Sequence, residues 1–357
     1  MTTREEAEAK LRATQFVKSG STLLDLVLGG GWALSRVSNV VGDKSTGKTL
    51  IAIEGFANFT RQYPTGLKGY GEAESSFDEA YASVLGFPDD VYRPPQQLKT
   101  VEDMNDDVTR FIERCNKAKV PGFYALDSLD ALSDAAEIKK AAEQYQARQK
   151  GEVSAGDFGA AKAKAMSRFF RLLNQDVAKS NIHFMVISQT RDNIDASYGE
   201  HKTRSGGEAL NFYASQVIWL YEAGKIEKQR LNQTRALGVS VRAKSKKSKV
   251  GLPYRETAFD IIFGYGIDDE MSMLEFLKGC NRLDKLTAKE ALVAGKEPFD
   301  EYKDIKDAVE TARSKQDWGA VTQLHTKLVE RTTTTWWEIE DFLKPPMAKY
   351  PPLEVKK

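Results

Sequence analysis

The sequence has little of what staples or metallates a small protein. Cys115 and Cys280 are its only cysteines, and no CxxC spacing occurs. Two lone thiols exclude a disulfide scaffold and suit a reducing cytoplasm. The three histidines, His183, His201 and His325, are scattered, which leaves no His/Cys zinc constellation. No apolar run approaches the ~18 residues that a membrane span needs, so no membrane partner is expected. The opening stretch MTTREEAEAKLRATQF is charged and lacks an apolar segment, which argues against a secretory signal. An excess of charge of one sign is missing too: 52 Lys and Arg stand against 51 Asp and Glu, a net charge of +1. Bulk charge therefore cannot coat a nucleic acid, and any such contact must come from local patches. Internal repeats and low-complexity tracts are also lacking.

What is present is ordinary globular composition, 41% hydrophobic and 29% charged over 357 residues. At ~100–200 residues per domain, there is room for two domains, or one large domain with appendages. Short apolar strands alternate with helices from about residue 36 to 280. The strand-like runs are Arg36–Val41, Leu67–Glu72, Phe123–Leu126, Ile182–Ile187, Gln216–Leu220, Val239–Ala243 and Thr257–Phe263. Helical spacing marks Leu50–Arg61, Phe77–Leu85, Val101–Ala118 and Ala160–Ala178. This alternation predicts an α/β fold with a mostly parallel central sheet flanked by helices. Beyond residue 280 the strands cease. Thr287–Gly295, Phe299–Ser314, Trp318–Val329 and Thr334–Leu343 read as short helices of a small C-terminal domain. The expected division is an N-terminal interface segment (1–20), a core (21–280), a helical domain (281–345) and a loose Pro-rich tail (346–357).

The most specific signal is the run Gly42-Asp43-Lys44-Ser45-Thr46-Gly47-Lys48-Thr49, a full GxxxxGK[ST] motif. Its glycines let successive backbone N–H groups turn toward phosphate oxygens. Lys48 supplies a charge to the β- and γ-phosphates, and the Thr49 hydroxyl can ligate Mg²⁺. The helix that follows adds its positive N-terminal end. A strand before and a helix after give the motif its expected setting. A nucleotide hydrolase also needs a second acid at a strand end, and Phe123-Tyr-Ala-Leu-Asp127 supplies it. Asp127 would hold Mg²⁺, usually through water. ATP and Mg²⁺ are the expected cofactors.

With these motifs the sequence resembles the RecA/RadA family of recombinases, and within it the UvsX-type recombinases of tailed phages. The resemblance covers roughly residues 18–280. Ser19–Gly31 is similar to the RadA-type lead-in to the phosphate loop, and Leu126–Ser133 to the second-acid segment. Ser205-Gly-Gly-Glu-Ala-Leu-Asn-Phe-Tyr-Ala-Ser215 is close to a bacterial RecA signature. Arg61–Pro64 and Met166–Leu172 resemble the phage branch. The resemblance implies a RecA-type P-loop ATPase core. It puts the catalytic base at Glu74, with Glu72 as the local rival, and Asp78 and Tyr81 beside the adenine. Gln189 takes the position of a γ-phosphate sensor, where an ordinary strand-end polar pair is the plainer reading. Within the basic run Arg242–Lys249, Lys247 and Lys249 would reach a neighbouring protomer's γ-phosphate, like an arginine finger. A nucleic-acid patch or a solvated loop is the alternative there.

Thr190–Gly207 is polar, with three glycines and no clear period, and is expected to be a structureless loop. It carries Arg191, His201, Lys202 and Arg204 for phosphates, Tyr198 for a base or a neighbouring subunit, and Ser205-Gly206-Gly207 for close backbone approach. The resemblance makes it the family's second DNA loop, with the first at Lys139–Phe158. Arg171 lies on the following helix, within reach of phosphates. The implied activity is that of an ATP-dependent homologous recombinase and DNA-dependent ATPase. Such a protein forms a helical filament on single-stranded DNA and exchanges strands with a homologous duplex. Loader and single-strand-binding proteins are possible partners, and the cytoplasm of a bacterial cell or phage-infected host is the setting. The rivals are a helicase, a switch or a mediator on the same fold.

Overall fold

The computed structural model describes residues 14–149, 159–192, 202–204, 207–283 and 301–343. The chain divides into two compact units, residues 1–269 and 270–357. The first opens with β1 (Phe16–Val17), α1 (Thr22–Leu28) and β2 (Trp32–Ala33), and β1 pairs antiparallel with β2. Ser21 caps α1 by accepting from the Leu24 N–H, and Gly29 ends it at φ 86°. Beyond these come β3 (Arg36–Gly42), α2 (Lys48–Gln62), β4 (Leu67–Glu72), α3 (Glu79–Val84) and α4 (Val101–Ala118). They are followed by β5 (Gly122–Asp127), α5 (Ala135–Gln149), α6 (Gly159–Lys179), β6 (Ile182–Asp192), β7 (Lys202–Arg204) and α7 (Gly207–Tyr213). A long hairpin of β8 (Gln216–Arg230) and β9 (Gln233–Ser248), then β10 (Glu256–Ile262) and β11 (Gly266–Asp268), completes the unit.

The sheet order is β11-β10-β9-β8-β3-β6-β5-β4, with β7 on β6. Its centre, β4-β5-β6-β3-β8, is parallel, and the β8-to-β11 end is antiparallel. The parallel strands are continuous apolar runs because helices cover both faces. From Val37 to Gly42 every residue of β3 is buried. The spacing that predicted Val101–Ala118 puts Val101, Met104, Val108, Phe111, Ile112 and Cys115 in the core. Each such side chain contributes about 1.5–3 kcal/mol by leaving water. A capping box between Thr100 and Asp103 fixes where this helix starts.

In this unit four expectations change. The helix anticipated from Phe77 starts at Glu79, because Asp78 is its N-cap. Part of the segment expected as the first DNA loop, up to Gln149, is helical in α5. Of the loop expected over Thr190–Gly207, Thr190–Asp192 continue β6 and Lys202–Arg204 pair back onto them as β7. The backbone there finds ladder partners that a polar composition does not advertise. The short strands around Gln216 and Val239 are the inner parts of a much longer hairpin. β8 pairs with β3 only up to Leu220, and β10 pairs with β9 only from Gly238 onward. The outer hairpin is thus a solvated two-stranded ribbon with no core-facing period to find.

In the second unit, Met273, Leu274, Leu277, Leu283, Ile305 and Leu328 form a separate core. α8 (Asp269–Gly279) supplies the first three of these, so residues that sequence spacing assigned to the ATPase core pack with the C-terminal helices. α9 is Glu301–Ser314. The two helices expected at Trp318–Val329 and Thr334–Leu343 are one, α10 (Trp318–Leu343), because Thr332 and Thr335 of the Thr run are buried and packed. Packing there overrides the weak helix propensity of threonine. The helix expected at Thr287–Gly295, the tail and residues 1–13 lie outside the described residues.

Candidate nucleotide site and DNA-facing hairpin

Strand register assembles the site. Gly42 pairs with Gln189, and Glu72 with Asp127. The carboxyl ends of β3, β6, β5 and β4 therefore lie side by side, the usual ligand position in an open α/β sheet. Gly42–Thr49 span from β3 into α2. Gly47 is left-handed at φ 80°, and a Cβ there would meet Ile261 Cδ1 at 2.4 Å. The loop is held by its own bonds. Thr46 Oγ1 donates to the Asp43 carbonyl at 2.9 Å, and Lys48 Nζ donates to the same oxygen at 2.6 Å. Burial pushes the Lys48 pKa down, against the pull of Asp127, Glu74 and Asp43. The surrounding carboxylates help to keep the half-buried ammonium charged, as binding a phosphate requires.

Thr49 Oγ1 donates to Asp127 Oδ2 at 2.6 Å, and Tyr70 Oη donates to the same oxygen at 3.1 Å. Burial raises the Asp127 pKa while these bonds oppose the rise. Hard oxygen donors beside a phosphate loop fit Mg²⁺, which takes one or two protein ligands and completes its shell with phosphate and water. Among the described residues no group of three or more His, Cys, Asp or Glu could hold a metal by itself.

The two candidate bases are separated by their partners. Glu72 Oε1 accepts from the Ser76 and Phe77 N–H groups at 2.6 and 2.9 Å and closes a turn. Glu74 Oε1 accepts from Gln189 Nε2 at 2.7 Å and from Ser128 Oγ. Gln189 is fixed again through its backbone, whose N–H donates to Asp130 Oδ2 at 2.7 Å. Thr190 Oγ1, one residue on, donates to Asp43 Oδ1. Sequence reasoning missed Ser128, Asp130 and Thr190 as site residues. The Asp127–Asp130 spacing beside the second acid was the only available signal.

Asp78 accepts from the Tyr81 N–H at 3.0 Å as the cap of α3. Tyr81 is 45% exposed, and its Oη accepts from the Gly264 N–H at 3.3 Å, which ties α3 to the β10–β11 turn. Behind that turn lies a carboxylate cluster. Glu54 Oε1, on α2, accepts from the Ile267 N–H at 3.2 Å, and Asp269 accepts from the N–H and hydroxyl of Thr22, both at 2.7 Å. Burial lifts Glu54 to about 7 and Asp25 to about 6, and Asp269 adds to both shifts.

In the segment expected to face DNA, Thr190 pairs with Arg204, Arg191 with Thr203 and Asp192 with Lys202. Arg204 NH2 donates to Asn211 Oδ1 of α7, and burial lowers the Arg204 pKa to about 10. Arg171 is exposed on α6, and Gly207 opens α7. Tyr198, His201, Ser205 and Gly206 lie outside the described residues. Lys247 Nζ donates to the Asn211 and Phe212 carbonyls at 2.5 and 2.9 Å, so within the protomer it caps the C-terminal end of α7. Burial, then Lys249 and Arg204, lowers the Lys247 pKa to about 8. Lys249 is exposed.

Fold and site together define a P-loop ATPase core. The RecA N-terminal domain family matches residues 4–268, and the chain belongs to the RecA family. It is 30% identical over 279 residues to Protein RecA 2 of Myxococcus xanthus, which covers 78% of this chain and 72% of that protein. It is 31% identical over 264 residues to Protein RecA of Nostoc punctiforme, across 73% and 66% of the two chains. Against Protein RecA of Gloeobacter violaceus the identity is 32% over 251 residues, across 70% and 62%. The aligned part thus spans roughly two thirds of these relatives' own length.

Proposed function

We infer that the chain is an ATP-dependent homologous recombinase and DNA-dependent ATPase. It assembles as a helical filament on single-stranded DNA, pairs that strand with a homologous duplex and exchanges strands. One observation carries this reading more than any other. Gln189 touches Glu74 through its side chain while its own strand runs directly into the DNA-facing hairpin. A change at the terminal phosphate and a change at the hairpin thus share one strand end.

The reading gives each candidate residue a role. The phosphate-loop amides and Lys48 bind the triphosphate. Glu74 orients the attacking water and takes its proton, while Gln189 and Ser128 hold the carboxylate in place. Thr49 and Asp127 would hold Mg²⁺, which would supply charge neutralisation to the bound phosphates. Lys202, Arg204, Arg191 and Arg171, with Tyr198 and Ser205–Gly207, form the single-strand path. Lys247 and Lys249 act on the neighbouring protomer's γ-phosphate, for which Lys247 must leave the end of α7. Asp78 and Tyr81 flank the adenine. Residues 1–20 dock on the adjacent protomer. Arg61–Pro64 and Met166–Leu172 support a place in the phage branch of the family. Loader and single-strand-binding proteins are candidate partners, and the setting is the cytoplasm. Among the described residues no helix is long and apolar enough to cross a membrane.

The test is strand exchange between a circular single strand and a homologous linear duplex, with electron microscopy of the protein–DNA complex. The native chain should form filaments and joint molecules with ATP, and Lys48→Ala should do neither. Closed rings with duplex unwinding would make the chain a helicase, and DNA binding without exchange would make it a mediator.

A further inference from the structure

We propose that the Thr190 hydroxyl and the Asp43 carboxylate form a clasp that holds the DNA-facing hairpin in a resting position and is opened by a bound triphosphate. The idea rests on the nucleotide and DNA roles inferred above. It adds a specific coupling element between them, in which Thr190 is a positioning residue.

The clasp follows from where the sheet ends. Gly42 and Gln189 form the last rung between β3 and β6. Beyond them the strands part, β3 into the phosphate loop and β6 into the hairpin. The first residues past that rung are Asp43 and Thr190, and their side chains are bonded to each other. Thr190 is also the residue that pairs with Arg204 across the hairpin base. From Arg204 hydrogen bonds continue to Asn211, and from the Asn211 carbonyl to Lys247. One bonded path thus leads from a phosphate loop, through the DNA-facing hairpin, to a lysine of the basic run. Meanwhile Asp130 fixes the Gln189 N–H at 2.7 Å, so the strand has a pivot just before the clasp.

The direction of the switch comes from charge. Asp43 is a carboxylate inside a loop built to receive phosphates. Lys48 leans back onto the Asp43 carbonyl at 2.6 Å. A triphosphate draws the lysine forward and sets several negative charges beside the carboxylate. Like charges repel most where water is scarce. Turning the carboxylate outward relieves the repulsion and releases Thr190. A ligand shifts a conformational equilibrium only through a difference in its interaction with the two states. Here that difference is the repulsion of Asp43, which the clasped state suffers and the open state relieves.

The experiment measures the affinity of the full chain for labelled oligo-dT, without nucleotide and with the slowly hydrolysed analogue ATPγS. The ratio of the two is the coupling factor, typically roughly 5- to 150-fold between linked sites. Thr190→Val cannot form the clasp. Its nucleotide-free DNA affinity should rise toward the nucleotide-bound value, cutting the ratio at least fivefold, and Thr190→Ser should restore it. Asp43→Asn keeps an acceptor for the hydroxyl but loses the charge. There the clasp should persist with ATPγS bound, so the ratio falls from the other side, through weak DNA binding in the presence of nucleotide. A structural defect would instead lower both affinities together. If Thr190→Val proves unstable by thermal melting, the Asp43→Asn arm decides alone. A Thr190→Val ratio within twofold of native, or Ser behaving like Val, overturns the clasp. So does a native chain that binds ATPγS while its DNA affinity ignores it. A native chain that binds no ATPγS at all overturns the ATPase reading, and the clasp with it.

Discussion

Replacing Glu54 by Gln should stabilise the protein at alkaline pH and leave it nearly unchanged in acid. The Glu54 carboxyl lies on α2 behind the nucleotide site and titrates near 7 instead of 4.5, chiefly because burial disfavours its anion. Each pKa unit is worth about 1.4 kcal/mol. The full shift would then be about 3 kcal/mol, which partial access to water reduces to roughly 2 kcal/mol. The sign follows from proton linkage. The folded pKa lies above the unfolded value, so the folded state binds more protons between pH 4.5 and 7. The stabilising contribution is fully present below pH 4.5 and is lost as pH rises through 7. Gln cannot ionise, and its amide oxygen can still accept the Ile267 N–H. Urea midpoints at pH 5 and pH 8, read by hydrogen exchange of β3 amides, measure the gap. The variant should match the native protein closely at pH 5 and exceed it by roughly 2 kcal/mol at pH 8. Parallel profiles, or a variant that is weaker at pH 8, would show that the carboxylate is better solvated or better paired than its surroundings indicate.

Three further outcomes are expected. Glu74→Gln should keep ATP and DNA binding while slowing hydrolysis roughly 10²–10⁴-fold. Glu72→Gln should lose only part of its hold on the Ser76–Phe77 turn, and the reverse ranking in a steady-state ATPase assay would move the base to Glu72. Because the Lys247 amine titrates near 8, it loses its charge as pH rises, so DNA-stimulated kcat/KM should show an alkaline limb near that pH. Lys247→Arg, charged throughout, should move the limb upward, and an unmoved limb assigns it to another group. Replacing Lys202 and Arg204 by Gln should lower the salt slope of single-strand binding by up to roughly 0.7 for each phosphate left unneutralised, read by titration at several salt concentrations. An unchanged slope places the DNA path elsewhere.

The parts of the site legible in the sequence were those whose chemistry is local. A phosphate loop is eight consecutive residues with fixed spacing, so Gly42–Thr49 could be read directly. Asp127 followed from a short apolar strand ending in an acid. Choosing Glu74 over Glu72 needed a family register, and the two differ in the structure only through their partners, Gln189 and Ser128 for one and a local turn for the other. Asp130, Thr190 and Asn211 escaped notice because each acts across a gap that sheet register closes. No spacing rule connects residue 43 to 190, or 130 to 189. Polar stretches misled in the same way. The hairpin base at Thr190 and the helix over Ala135–Gln149 are ordered by backbone pairing and tertiary contact, neither of which a composition of Lys, Gln and Gly announces.

The β8–β9 ribbon gives the molecule a natural handle. Its last pair is Arg230 with Gln233, and the turn residues Leu231 and Asn232 both have positive φ, at 50° and 58°. That is the geometry of a tight two-residue hairpin turn, which Asn-Gly satisfies better than Leu-Asn. Leu231 is 89% exposed, and Lys225, Glu227, Lys228, Arg230 and Arg235 put charge along the open edges, which discourages stray strand pairing. The sheet's own pairings stop at Leu220 and resume at Gly238. Chain opened at the tip, or carrying a dye, a peptide tag or a surface linker there, leaves every pairing of the central sheet intact. A protein attached at Leu231 could be watched one molecule at a time with its nucleotide loop undisturbed.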